Sequence, residues 1–86
     1  MRFILSPHAE LELVRRNIPR QLIEDVLENP QQIVAEQLER KAYQSLVDFG
    51  EGRFFLLRAI VIDSIDPAVV VTVYRTSKVA KYWRTT

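Results

Sequence analysis

Apolar and polar positions follow a helical period over the first third of the chain and a strand period over the rest. Leu22, Ile23, Val26 and Leu27 share one side of a helical wheel, and Arg20, Gln21, Glu24, Asp25 and Glu28 take the other. That stripe predicts a helix from about Pro19 to Glu28, stopped by Asn29-Pro30. An earlier helix is expected to begin at Ser6-Pro7, with Ser as N-cap and Pro at the first helical position, and to run to about Arg16. Ala9, Leu13 and Val14 are its apolar positions. Asn17 suits a left-handed residue between the two helices, which together form an αα-hairpin. Before them, Phe3-Ile4-Leu5 is short enough for an edge strand only.

Beyond Pro30 the rhythm shortens. Gln32 to about Gln37 is a weak strand, and Lys41 to Phe49 alternates. Gly50-Glu51-Gly52 is a hairpin turn, and Arg53 to Ile62 is apolar on both faces, the mark of a central strand. Asp63 to Pro67 is a loop, Ala68 to Arg75 a Val-rich strand, and Lys78 to Arg84 a final short helix or tail. Helices followed by strands give an α+β fold: an N-terminal αα-hairpin packed on one face of a small antiparallel β-meander.

The two turns set an expected register. Pairing across Gly50–Gly52 puts Tyr43 opposite Ala59, Gln44 opposite Arg58 and Val47 opposite Phe55. Pairing across the second loop puts Ile60 opposite Val70, Arg58 opposite Thr72 and Leu56 opposite Tyr74. The odd-numbered face then carries Tyr43, Val47, Phe49, Phe55, Leu57, Ala59, Val61, Val69, Val71 and Val73 and is the expected core. The even-numbered face is mixed, with Gln44, Leu46, Arg58, Thr72 and Tyr74. A slip of one residue would exchange the faces.

Composition narrows the class. The 86 residues make one domain, 1–86, with 48% apolar and 27% charged types, an ordinary globular balance. The longest apolar runs are four residues, far short of the roughly 18 that suggest a membrane span. No basic-then-apolar leader is evident, so a small soluble cytoplasmic domain with no membrane partner is expected. One histidine and no cysteine argue against a metal site, and no cofactor motif is present. The net charge of +1 hides an asymmetry. Residues 1–52 hold six Lys/Arg against nine Asp/Glu, and residues 53–86 hold six against two. Arg75, Lys78, Lys81 and Arg84 meet no acid after Tyr74, and Tyr82 and Trp83 lie among them. Basic groups interleaved with aromatics suit single-stranded nucleic acid, with Arg75, Tyr82, Trp83 and Arg84 as RNA contacts. The alternative is a solvated tail whose aromatics pack on the sheet.

Two further residues stand out. Arg58 interrupts the most apolar strand, so it must face water or find a partner. It reads as an anion clamp beside Gln44, Thr72 and Tyr74, or as a structural arginine paired with an acid such as Asp48 or with a C-terminal carbonyl. His8 sits in the first turn of its helix, on one face with Glu12 and Arg15. It is a proton acceptor near an arginine, or else a helix-start residue that organises the αα-hairpin.

Several stretches resemble a bacterial family of domains of unknown function, whose helix carries His-Ala and Arg-Gly-Ile. They are Ser6-Pro7-His8-Ala9, Arg16-Asn17-Ile18, Glu28-Asn29-Pro30 and Val71-Thr72-Val73-Tyr74-Arg75, with Lys81-Tyr82-Trp83 after them. Asn17 stands where that family has glycine, and Glu12 where an arginine is common. The family is similar to the RelE/ParE/BrnT-like toxin superfamily. The resemblance implies a RelE-like fold and a toxin of a type II toxin–antitoxin system, with a cognate antitoxin as partner. It further implies a metal-independent endoribonuclease that cleaves messenger RNA, on the ribosome in some relatives, to a 2′,3′-cyclic phosphate. Arg58, Tyr74, Lys78, Lys81 and His8 are the candidate catalytic residues. The competing class is a non-enzymatic binding module, either a ParE-like inhibitor that acts by docking or a catalytically silent partner protein.

Overall fold

The computed structural model describes residues 1–85. The elements are β1 (Phe3–Leu5), α1 (Pro7–Arg15), α2 (Arg20–Glu28), β2 (Gln32–Ala35), β3 (Lys41–Asp48), β4 (Phe54–Ile62), β5 (Ala68–Thr76) and α3 (Val79–Tyr82). One five-stranded sheet runs in the order β1-β5-β4-β3-β2. The chain is α+β, but the expected antiparallel meander is overturned. The sheet is mixed, because β1 lies parallel to β5 with Phe3 opposite Ala68 and Leu5 opposite Val70. Parallel neighbours need a long crossover, and here everything from Ser6 to Pro67 supplies it. Phe3 and Leu5 are tied to this edge because both pack against the main core.

That core lies between the sheet and the first two helices. Ala9 and Leu13 of α1, Ile18, and Ile23, Val26 and Leu27 of α2 meet Tyr43, Leu57, Ala59, Val61 and Val73. Val14 differs from expectation. It stands 79% exposed, since α1 turns Ala9 and Leu13 onto the sheet and leaves Val14 on its solvent side. Asn17 adopts φ 53° between the helices, and the Ile18 amide closes the end of α1 on the Leu13 carbonyl at 2.9 Å.

The β3–β4 register matches the pairing expected across Gly50–Gly52. The β4–β5 register does not. Arg58 pairs with Tyr74 and Ile60 with Thr72, while Val61 pairs with Val70, so Val71 is an extra residue in a β-bulge. A bulge exchanges faces along the strand. Ala68 and Val70 therefore enter the core beside Val73, and Val69 and Val71 stay partly exposed. The extra residue has a partner in Ser6. Its hydroxyl donates to the Val71 carbonyl at 2.9 Å and accepts from the Ala9 amide at 3.0 Å, so one side chain caps α1 and seats it on the bulge.

Ser6→Ala removes both bonds and should cost about 1–2 kcal/mol in urea unfolding, with Ser6→Thr recovering most of it. A Ser6→Ala protein as stable as wild type would show that neither bond stabilises the fold.

Candidate functional site

The sheet face opposite α1 and α2 carries one polar row across four strands. Gln32 of β2 pairs with Gln44 of β3, Gln44 with Arg58 of β4, and Arg58 with Tyr74 of β5. Register alone brings these four side chains onto one face. Val34, Ala42 and Ile60 form a small apolar cluster next to the row, with Tyr74 packed against it. The C-terminal segment crosses above, and Tyr82 at the end of α3 lies over Arg58.

Arg58 is 2% exposed, and all three of its nitrogens donate. Nε meets Gln44 Oε1 at 2.7 Å, Nη1 meets the Tyr74 hydroxyl, and Nη2 meets Glu36 Oε2 at 3.2 Å. The guanidinium carbon sits 4.2 Å from the Tyr82 ring centroid, within cation–π range. An open clamp is thus absent from the resting structure, and the acid that accompanies Arg58 is Glu36 rather than Asp48, whose carboxylate accepts from the Gly50 amide.

The network continues through the glutamines. Gln44 accepts from Arg58 and donates to Gln32 Oε1 at 2.8 Å and to the Tyr82 carbonyl at 3.2 Å. Gln32 in turn donates to the Arg84 carbonyl at 2.6 Å and accepts from the Arg84 amide at 3.1 Å. The final segment is therefore held largely by side-chain amides. Among the described residues no buried polar side-chain atom lacks a partner.

Two phenols here are pushed in opposite directions. Burial raises Tyr74 above the ordinary tyrosine value, and Arg58 beside it only partly opposes this. Tyr82 is lowered, first by the Lys81 ammonium next to it and then by Tyr74 and Arg58. The two rings meet edge to face with centroids 6.2 Å apart.

The structure thus gathers Arg58, Tyr74, Tyr82 and Lys81, and places the other expected residues around or apart from them. Lys78 is exposed at the start of α3. Trp83 is half-buried and its amide closes α3 on Val79. Arg84 is exposed, with its backbone docked on Gln32. Arg75 lies on the opposite face, where its guanidinium covers Phe49 and Phe55 at 4.5 and 4.8 Å. His8 stands at the β5 edge, sharing a 3.1 Å hydrogen bond with Thr72, two residues along the strand from Tyr74. Glu12 is not its partner. The Glu12 carboxylate turns under Arg15 and Arg16, which donate to it at 2.7–2.9 Å. These bonds hold its pKa at about 2, against an ordinary 4.5.

The sequence pattern does not single out Gln32 or Glu36. A mid-strand arginine demands an acid, but Glu36 lies in the β2–β3 turn, whose position depends on a weakly patterned strand. Among the described residues no group of three His, Cys, Asp or Glu side chains is placed to hold a metal ion. Among the described residues no helix is long and apolar enough to cross a membrane.

Residues 5–75 match the family described as "Domain of unknown function (DUF4258)". The matched span includes β2 through most of β5 and ends before α3. No curated protein and no solved structure matches.

Two predictions follow from this geometry. Arg58→Met strands the Gln44 and Tyr74 oxygens and should cost about 3 kcal/mol or more. Limited proteolysis should then cut residues 77–84 faster, and unchanged stability would mean the network contributes nothing. Folding lowers the Glu12 pKa, so its stabilising effect is complete above about pH 4.5 and is lost as pH falls toward about 2. Glu12→Gln should be less stable at neutral pH and lose less stability over that window, measured as melting temperature against pH.

Proposed function

The chain belongs to the family described as Domain of unknown function (DUF4258), and on the site's chemistry we propose that it is a metal-independent endoribonuclease acting on messenger RNA. In this proposal it is a RelE-like toxin of a type II toxin–antitoxin system, with a cognate antitoxin as partner. The observation that carries the chemistry is the pair of touching phenols, one raised and one lowered, beside a fixed guanidinium. Titratable neighbours driven apart in this way are suited to act as base and acid.

RNA cleavage without metal needs three services. A base takes the proton of the 2′-hydroxyl as its oxygen attacks phosphorus. A cation stabilises the crowded phosphate, and an acid protonates the departing 5′-oxygen. Tyr82 acts as the base in its phenolate form, which the neighbouring Lys81 ammonium favours, and takes the 2′ proton. Tyr74, held protonated by burial, donates to the 5′-oxygen as that bond to phosphorus breaks. The products are a 2′,3′-cyclic phosphate and a 5′-hydroxyl. Lys81 meets the developing phosphate charge, while Lys78 and Arg84 neutralise flanking phosphates. Arg58 acts through Tyr74 and Tyr82 as a positioning residue, because each of its three nitrogens already holds a protein partner and the side chain is 2% exposed. His8 is hydrogen-bonded to Thr72, which lies roughly 7 Å along β5 from Tyr74 on the same face. The second reading is a binding module without catalysis, favoured by that same burial of Arg58 among protein partners.

Purified protein incubated with RNA, with and without ribosomes, should leave 2′,3′-cyclic ends and be indifferent to chelator. Tyr82→Phe and Tyr74→Phe should each slow cleavage by about a hundredfold or more while RNA affinity stays near wild type. A folded wild type that cleaves nothing under either condition would remove the nuclease reading in favour of docking.

A further inference from the structure

The turn between β2 and β3 is built against backbone preference. Leu38 and Glu39 are consecutive residues with φ near +60°, 59° and 58°, a pairing that hairpins usually give to Asn-Gly. The Arg40 amide closes the turn on the Gln37 carbonyl at 3.2 Å, and the Glu36 amide bonds the Arg40 carbonyl at 2.8 Å. A left-handed leucine is costly because its Cβ crowds the following carbonyl, and Leu38 gains no core contact in return. Its side chain is 79% exposed. Strain of this kind, without a packing reason, is a reason to ask what the turn presents.

It presents the rim of a cleft of about 480 Å³ on the same sheet face as Tyr74. Ile60 and Ala35 give the cleft an apolar lining, and Tyr74 and Leu38 also line it. Gln37 and two charged groups complete it. Glu36 gives Arg58 one oxygen, and among the described residues its Oε1 has no hydrogen-bond partner. Arg40 lines the cleft, and its guanidinium makes no ion pair among the described residues. The volume falls within the range of small-molecule sites, and the lining combines apolar surface with a few charged groups.

These groups select among flat ligands. A carboxylate accepts two neighbouring N–H donors, which guanine offers at N1 and N2. Adenine and cytosine set a ring acceptor beside their amino group, and uracil sets carbonyls on both sides of its single N–H. A guanidinium such as that of Arg40 suits the O6 and N7 acceptors of guanine. An aromatic ring and an apolar side chain suit the faces of an unstacked base.

We propose that this cleft is a base subsite taking an unstacked guanine of the RNA, with Glu36 receiving its N1–H and N2–H, Arg40 meeting its acceptor edge, and Leu38 and Tyr74 holding its faces. The inference rests on the RNA-cleaving reading for its substrate and adds base preference to it. Because Tyr74 is shared, a guanine seated here brings the adjoining ribose and phosphate to the phenols.

The test uses the whole chain and the four ribonucleoside 5′-monophosphates, titrated singly by NMR, together with the cleavage pattern on a mixed-sequence RNA. Guanosine monophosphate should bind at least about tenfold tighter than the other three, with shifts at residues 35–40, 60 and 74. Cleavage should fall beside guanines. Glu36→Gln should abolish the preference. Leu38→Asn, which tolerates the left-handed backbone and removes the apolar wall, should raise the melting temperature while weakening guanosine monophosphate binding severalfold. Equal affinity for all four nucleotides, or a Leu38→Asn protein that binds as wild type, would overturn the subsite. Cleavage without guanine preference would overturn it and leave the nuclease reading standing. Guanine-selective binding without cleavage would keep the subsite and end the nuclease reading.

Discussion

A guanidinium sealed into the centre of the sheet sets the terms for everything on the face opposite α1 and α2. Removing such a group from water is costly unless each donor finds an acceptor and the charge finds a counterpart. Arg58 obtains these from four places in the chain: Gln44 on one neighbouring strand, Tyr74 on the other, Glu36 from a turn, and the ring of Tyr82 from the C-terminal segment. The requirement therefore organises tertiary structure as well as local chemistry. It draws α3 across the sheet and fixes the orientation of Gln44, whose oxygen must face Arg58 and whose nitrogen must then face Gln32 and Tyr82.

The helix-bearing face depends on a different device, and the two meet on β5. The bulge at Val71 turns Ala68 and Val70 inward while leaving Thr72 and Tyr74 on the outer face. Ser6 binds that bulge, so the start of α1 is positioned by the same strand that carries Tyr74. His8 follows two residues later and reaches Thr72. Helix docking and site geometry thus share one irregularity in one strand.

Much of the framework was legible where the physics is local. The stripe on α2, the left-handed Asn17, the Ser6 cap and the Gly50–Gly52 hairpin each follow from a few adjacent residues, and the β3–β4 register follows from the hairpin. What escaped depends on partners far away in sequence. Nothing in Phe3-Ile4-Leu5 says that it joins β5 in parallel, because that choice is made by the crossover and the core. A run of four apolar residues at 68–71 gives no sign of which one is extra, so the bulge and the faces beyond it could not be placed. Arg58 was visible as a residue in need of a partner, and its pairing with Glu36 was not, since the turn holding Glu36 lacks the residues that usually mark such turns. Tyr82 was visible as an aromatic among basic residues, but its place over the guanidinium required the whole row beneath it.

The position of Gln44 bears on how this surface can change over evolutionary time. Its amide uses an acceptor toward Arg58 and donors toward Gln32 and Tyr82, with no exposure to water that might substitute for any of them. A carboxylate there could receive Arg58 but could donate to neither of the others, and a hydrocarbon would strand all three. Drift at one member of the row is therefore opposed by the rest, and escape requires several codons to change together. Lineages should inherit Gln32, Gln44 and Arg58 as a block or replace them as a block, and those that replace them would have to anchor their final residues by some other means.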